Sequence, residues 1–96
     1  MASSIIKVLR YLPYNNSIGN ISMTDLNNTH STGLYHAYFS GGDELPWKIR
    51  NVWGLLLVSN RGDLVIEQIV ISIRGIIIRH YESNSWSEWS TISIDA

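Results

Sequence analysis

The stretch 69–90, IVISIRGIIIRHYESNSWSEWS, constrains the fold more than any other part of the chain. Two apolar runs, 69–73 and 76–81, are rich in β-branched and aromatic residues and are separated by Arg74-Gly75. That pattern predicts a β-hairpin, with Gly75 supplying the positive φ that a tight turn needs. The polar cluster Glu82-Ser83-Asn84-Ser85 then predicts a second turn, and Trp86-Ser87-Glu88-Trp89 a closing strand. The segment therefore reads as a three-stranded antiparallel meander, and the upstream chain must supply the surface it packs against.

Upstream signals are also mostly of the strand type. Residues 4–12 are Ile- and Val-rich and read as a strand, ended by Pro13 and the polar run Asn15-Asn16-Ser17. Residues 18–23 read as a connector, and Thr24 to Asn28 as a single helical turn opened by a capping residue. Gly33 begins a strand in which Leu34, His36 and Tyr38 share one face and Tyr35, Ala37 and Phe39 the other. Residues 41–46, GGDELP, read as a loop. The unbroken apolar run within 52–59 predicts a central strand covered on both faces, and residues 64–73 a long strand running back. The expected class is mostly β, a small antiparallel β-sandwich, barrel or meander with one short helical turn.

Ninety-six residues make one domain. Charged residues are 16% of the chain, below the roughly 25% usual for soluble domains. Low charge beside 45% hydrophobic residues predicts apolar surface hidden against further copies of the chain. A formal charge of -1 gives no field to attract phosphate backbones, so nucleic acid is not an expected partner. The absence of cysteine excludes disulfides and thiolate metal sites. Lys7 and Arg10 interrupt the first apolar run, and no stretch approaches the ~20 apolar residues of a membrane span, so a soluble chain without membrane insertion is expected.

Few residues point to catalysis. His30, His36 and His80 lack the spacing of a metal site and read as partly buried or turn histidines, so no metal or cofactor is expected. No serine stands in a G-x-S-x-G context. Asp43 and Glu44 are candidate paired carboxylates for glycoside cleavage, but adjacent loop residues rarely face each other across a bond, and loop solvation is the preferred reading. Arg61-Gly62-Asp63 spells an adhesion tripeptide, yet Gly and Asp are also what a β-turn wants.

The aromatic residues are the best functional lead, because flat apolar rings stack on sugar faces as readily as they fill a core. Trp47, beside Pro46 in a polar loop, is the expected sugar platform, with Asp43 and Glu44 as hydrogen-bonding acids. Trp53 lies within an apolar run and is expected in the core. Trp86 and Trp89 differ by an odd number, so they are expected on opposite sides of the sheet, with Trp86 a further sugar contact.

The order of Asp25-Leu26-Asn27, Thr32-Gly33-Leu34-Tyr35, Trp53-Gly54-Leu55-Leu56-Leu57-Val58, Ile76-Ile77-Ile78-Arg79 and Trp86-Ser87-Glu88-Trp89 resembles the knob domain of R-type pyocins and related phage tail fibres and tailspikes. The resemblance covers residues 21–92 and implies a non-enzymatic, homotrimeric β domain in a virion or phage-tail-like particle. Its implied partners are bacterial surface polysaccharide and other tail fibre or tailspike subunits. Residues 1–20 are then an N-terminal strand and connector at the junction to a longer fibre, and residues 21–96 the knob-like domain. Residues 41–50 depart from the family pattern and are the expected recognition loop. The alternative is a trimerisation clamp of a larger depolymerase spike with no ligand of its own; a small glycan hydrolase using Asp43 or Glu44 is the enzymatic rival.

Overall fold

A computed structural model describes residues 16–92. Strands β1 (Asn16–Ile21), β2 (Gly33–Phe39), β3 (Val52–Arg61), β4 (Val65–Ser72), β5 (Gly75–Glu82), β6 (Ser85–Trp86) and β7 (Ser90–Ile92) accompany one helical turn, α1 (Met23–Asn27), and two 3-10 turns at Gly42–Glu44 and Trp47–Ile49. They build one curled mixed sheet in the order β1-β2-β3-β4-β5-β6, with β7 also on β5. The mostly-β class expected from sequence is what the chain adopts. Its form is the meander in a single sheet, with no second stacked layer of strands among the described residues.

Turn chemistry sets the meander. Ser72 pairs with Gly75 across the two-residue loop Ile73-Arg74, and Gly75 takes φ 134°, which a side chain would resist. Glu82 pairs with Ser85 across Ser83 and Asn84, both at positive φ, as a two-residue hairpin of the right twist demands. Arg61-Gly62-Asp63 is spent on the β3–β4 turn. Gly62 and Asp63 have φ 63° and 64°, and Asn60 Oδ1 accepts from the Asp63 N–H at 2.7 Å.

The start of the described chain differs from expectation. Residues 18–21, expected as a connector, belong to β1, which pairs in parallel with β2, and this strand runs across the expected boundary between residues 20 and 21. Parallel pairing needs a crossover, and residues 22–32 supply it with α1 inside. The helix cap is Ser22 rather than Thr24. Ser22 Oγ accepts from the Asp25 N–H at 3.2 Å while Asp25 Oδ2 accepts from the Ser22 N–H at 3.0 Å, a reciprocal capping box. These bonds hold the Asp25 carboxyl below its ordinary value of 3.8. The strand expected at residues 4–12 lies outside the described residues.

Alternation along the strands makes two apolar faces. On one, Phe39, Leu56, Ile66, Val70 and Ile77 pack with Leu26 of α1 and with Leu45 and Ile49 of the 3-10 turns. On the other, Leu55, Ile71 and Ile76 are buried with half-buried Leu34, Leu57 and Ile69 beside them. Adjacent Leu55 and Leu56 are both buried while pointing to opposite sides, so β3 is the central strand its unbroken apolar run predicts. Strand packing is close at Gly54, where a Cβ would lie 2.8 Å from the Ile71 carbonyl oxygen and 3.2 Å from the Phe39 ring.

The first face also holds a buried polar group. Gln68 Nε2 donates to the Leu26 and Thr29 carbonyls at 2.7 and 3.0 Å, and its Oε1 accepts from Arg79 Nε at 2.9 Å. The Leu26 carbonyl, which also accepts from the Thr29 N–H at 3.2 Å, and the Thr29 carbonyl just past α1 thus take a donor from the sheet. Arg79, only 4% exposed, lies between two indoles, its guanidinium carbon 3.8 Å from the Trp86 ring centroid and 4.6 Å from that of Trp89. Burial pushes Arg79 down to about 10, so it stays charged at neutral pH.

Both tryptophans therefore face the same side, against the expectation from their spacing. The cause is a register change. Trp86 pairs with Tyr81, which would bring residue 89 opposite Ile78, but Ser90 is the residue paired with Ile78. One extra residue is accommodated over 87–89, a bulge that reverses the phase of all that follows. Trp53 is the second correction, being 51% exposed instead of buried. It shares the phase of Leu55 and Leu57, but β4 pairing begins only at Gly54 with Ser72. The side chain on that flank belongs to the turn residue Ile73, itself 78% exposed.

Candidate functional site

The excursion between β2 and β3 is built, not loose. Gly41 and Gly42 take φ 141° and 65°, letting the chain leave β2, and the Asn51 N–H donates to the Phe39 carbonyl at 2.8 Å to close the excursion. Leu45 and Ile49 are buried on either side of Trp47, and with both anchors directed inward the indole between them is directed out, 61% exposed. Arg50 clamps the base, donating from Nε and Nη2 to the Leu45 carbonyl at 3.2 and 2.7 Å.

The β4–β5 turn braces the same structure. Ser72 Oγ donates to the Lys48 carbonyl at 2.7 Å, and Lys48 Nζ donates to the Arg74 carbonyl at 3.1 Å. Arg74 Nη1 donates to the Trp47 carbonyl at 2.9 Å and to the Arg50 carbonyl at 2.6 Å, and its guanidinium carbon sits 4.8 Å from the Trp47 ring centroid. The backbone beneath an exposed indole is thereby held by hydrogen bonds, so a ligand stacking on it would cost little loop entropy.

Of the acids expected beside this platform, Asp43 is fully exposed and forms an ion pair at 3.6 Å with Arg50 Nη1. Glu44 follows it on the same 3-10 turn and is also exposed. Arg50 thus ties Asp43 to the base of the Trp47 turn. Trp86 is not brought to this site. It is half-buried on the packed face, its ring 5.3 Å from Tyr81 and 6.0 Å from His30. It pairs with Tyr81 at the far end of β5 from Arg74; six residues of strand at ~3.3 Å each separate Gly75 from Tyr81, or about 20 Å.

Sequence reasoning missed a second aromatic surface at the Trp47 end of the sheet. The Trp53 ring lies 5.0 Å from His36 and 5.4 Å from Tyr38, with Tyr38 paired opposite Trp53. A hollow of about 50 Å³ between Trp53, His36, Ile71 and Ile73 adjoins it. At about 10–15 Å³ of such space per water the hollow takes a few waters, so a ligand here would bind mainly by stacking on the surface. The signal available was the shared phase of Leu34, His36 and Tyr38, which the alternation placed on one face. At the opposite end of the sheet, an open cleft of about 430 Å³ lies between the turns at Asp63 and Ser83, bordered by exposed Leu64 and by Tyr81.

Among the described residues no group of three or more His, Asp and Glu is placed to hold a metal ion, and no helix is long and apolar enough to cross a membrane. Comparison with family models, with curated proteins and with solved structures finds no match to this chain.

Proposed function

We propose that the chain is a non-enzymatic carbohydrate-binding domain that holds bacterial surface polysaccharide, acting as a homotrimer in a phage tail fibre or tailspike with other fibre subunits. The observation that carries the binding reading is Trp47, an indole 61% exposed on a turn braced by Ser72 and Arg74 of the β4–β5 turn and by its own Arg50. An indole left in water on a rigid support offers the apolar plane that a pyranose face stacks on. The virion context is supported by the resemblance of the ordered segments to tail-fibre knobs. A single stacking site binds weakly, and three sites on one rod raise the effective concentration enough to hold a surface. Glycan-array binding of the chain tests the reading: Trp47→Ala loses binding while the mass in solution is unchanged. Undiminished binding in that variant removes Trp47 from the site.

A second reading, a trimerisation clamp without ligand, is favoured by the apolar second face, on which Trp53 and Ile73 are exposed. Under it the chain is a trimer that binds no glycan on the array. A monomer at micromolar concentration contradicts both.

A further inference from the structure

We infer that the ligand of the Trp47 site is an anionic saccharide, one that lies along the indole and turns a carboxylate or phosphate substituent to the Arg74 guanidinium; this rests on the sugar-binding reading above. A guanidinium carries five N–H donors in a rigid plane. In Arg74, Nη1 is committed to the Trp47 and Arg50 carbonyls at 2.9 and 2.6 Å, which fixes the plane. The remaining edge, Nε with Nη2, donates to nothing among the described residues. That edge presents two parallel N–H groups at the spacing of two oxygens of one carboxylate or phosphate.

Charge points the same way. The ion pair at the site joins Asp43 to Arg50, so one of the two loop carboxylates faces a cation other than Arg74. Arg74 has no carboxylate partner among the described residues, and Lys48 Nζ, 3.1 Å from the Arg74 carbonyl oxygen, adds a second positive charge at the same turn. The Arg74 guanidinium lies over one side of Trp47 at 4.8 Å from the centroid, and the indole still keeps 61% of its surface exposed. Stacking surface and oriented cation are thus adjacent. A neutral sugar uses the first alone, whereas an acidic sugar uses both, and charge-assisted bidentate bonds are roughly twice as strong as neutral ones.

The test is a paired array probed with the full chain. Uronate-containing, sialylated and phosphorylated oligosaccharides are each set beside the carboxyl-reduced, desialylated or dephosphorylated partner, followed by titration of the pairs that bind. The expected result is an acidic member bound about ten-fold tighter than its neutral partner, the equivalent of one charge-assisted pair. The preference weakens with salt. Arg74→Lys, which keeps the charge but not the fork, collapses the preference while the circular dichroism of the chain stays unchanged. Preference confined to uronates and sialosides identifies the oxyanion as carboxylate, and preference confined to phosphosugars identifies it as phosphate. Equal binding of acidic and neutral partners overturns the inference and leaves sugar binding standing. Binding of neither set overturns both.

Discussion

Arginine meets tryptophan at two sites on either side of the middle of β5, and their contrast underlies the proposed division between structure and recognition. Arg79 is 4% exposed and sandwiched between Trp86 and Trp89, with its Nε bonded to Gln68. Arg74 lies over Trp47, which is 61% exposed, and bonds to backbone carbonyls of the neighbouring turn. The side chains are the same, so chemistry alone does not assign the roles. What differs is the backbone beneath: a bulge over 87–89 brings Trp89 onto the packed face beside Trp86, and buried anchors at Leu45 and Ile49 turn Trp47 away from it. A buried cation between aromatic faces joins sheet to helix through Gln68, while half-buried Arg74, beside an exposed indole, is the one proposed to meet a ligand.

This contrast breaks most visibly at Trp86. Trp86→Ala removes one wall of the Arg79 sandwich together with contacts to Tyr81 and His30, and is expected to cost about 3 kcal/mol in urea unfolding, in the range of large-to-small core changes. A loss below about 0.5 kcal/mol, the level of an ordinary surface substitution, contradicts the core role. Arg79→Met comes next. It replaces a buried charge by an apolar side chain of similar length but strands Gln68 Oε1, for a net loss of about 1–2 kcal/mol. Glycan binding is expected to be untouched, and altered binding would merge the two regions into one.

Trp47→Ala should change unfolding free energy by no more than about 0.5 kcal/mol, as for an exposed side chain, even as it abolishes binding on the array. The smallest effect concerns the support beneath Arg79. Asp25 completes the capping box of α1, whose Leu26 carbonyl accepts from Gln68, and bonds to Ser22 hold its carboxyl below the ordinary value of 3.8. A depressed carboxyl contributes stability that is present above pH 3.8 and is lost as pH falls through the lower folded value. Asp25→Asn should therefore be the less stable form at pH 7, with the gap closing toward pH 3 in paired urea titrations. A gap independent of pH contradicts the capping account.

Much of the fold was legible because local rules and tertiary structure agree. The alternation in β2, the unbroken apolar run in β3 and the turn residues Gly75 and Ser83-Asn84 each lead to the element observed. Where the reading failed, the deciding interaction was not local. β1, NSIGNI, has little apolar pattern, and it is a strand because it pairs with β2. Counting by twos along residues 86–89 assumes an unbroken register, and the bulge violates it. Trp53 lies in an apolar run, yet its exposure follows from where β4 pairing begins. Trp47 was legible as exposed because proline, glycines and acids surround it. Arg74 was not legible as part of the same site, since 27 residues separate the two positions in the chain.

The most direct test follows the four indole N–H signals by NMR while an acidic oligosaccharide selected on the array is titrated into the labelled chain. The account predicts that the Trp47 signal moves with saturation while those of Trp86 and Trp89 stay in place. Movement at Trp86 or Trp89 with Trp47 unmoved contradicts it, because the buried arginine sandwich would then be the binding surface and the exposed one a bystander.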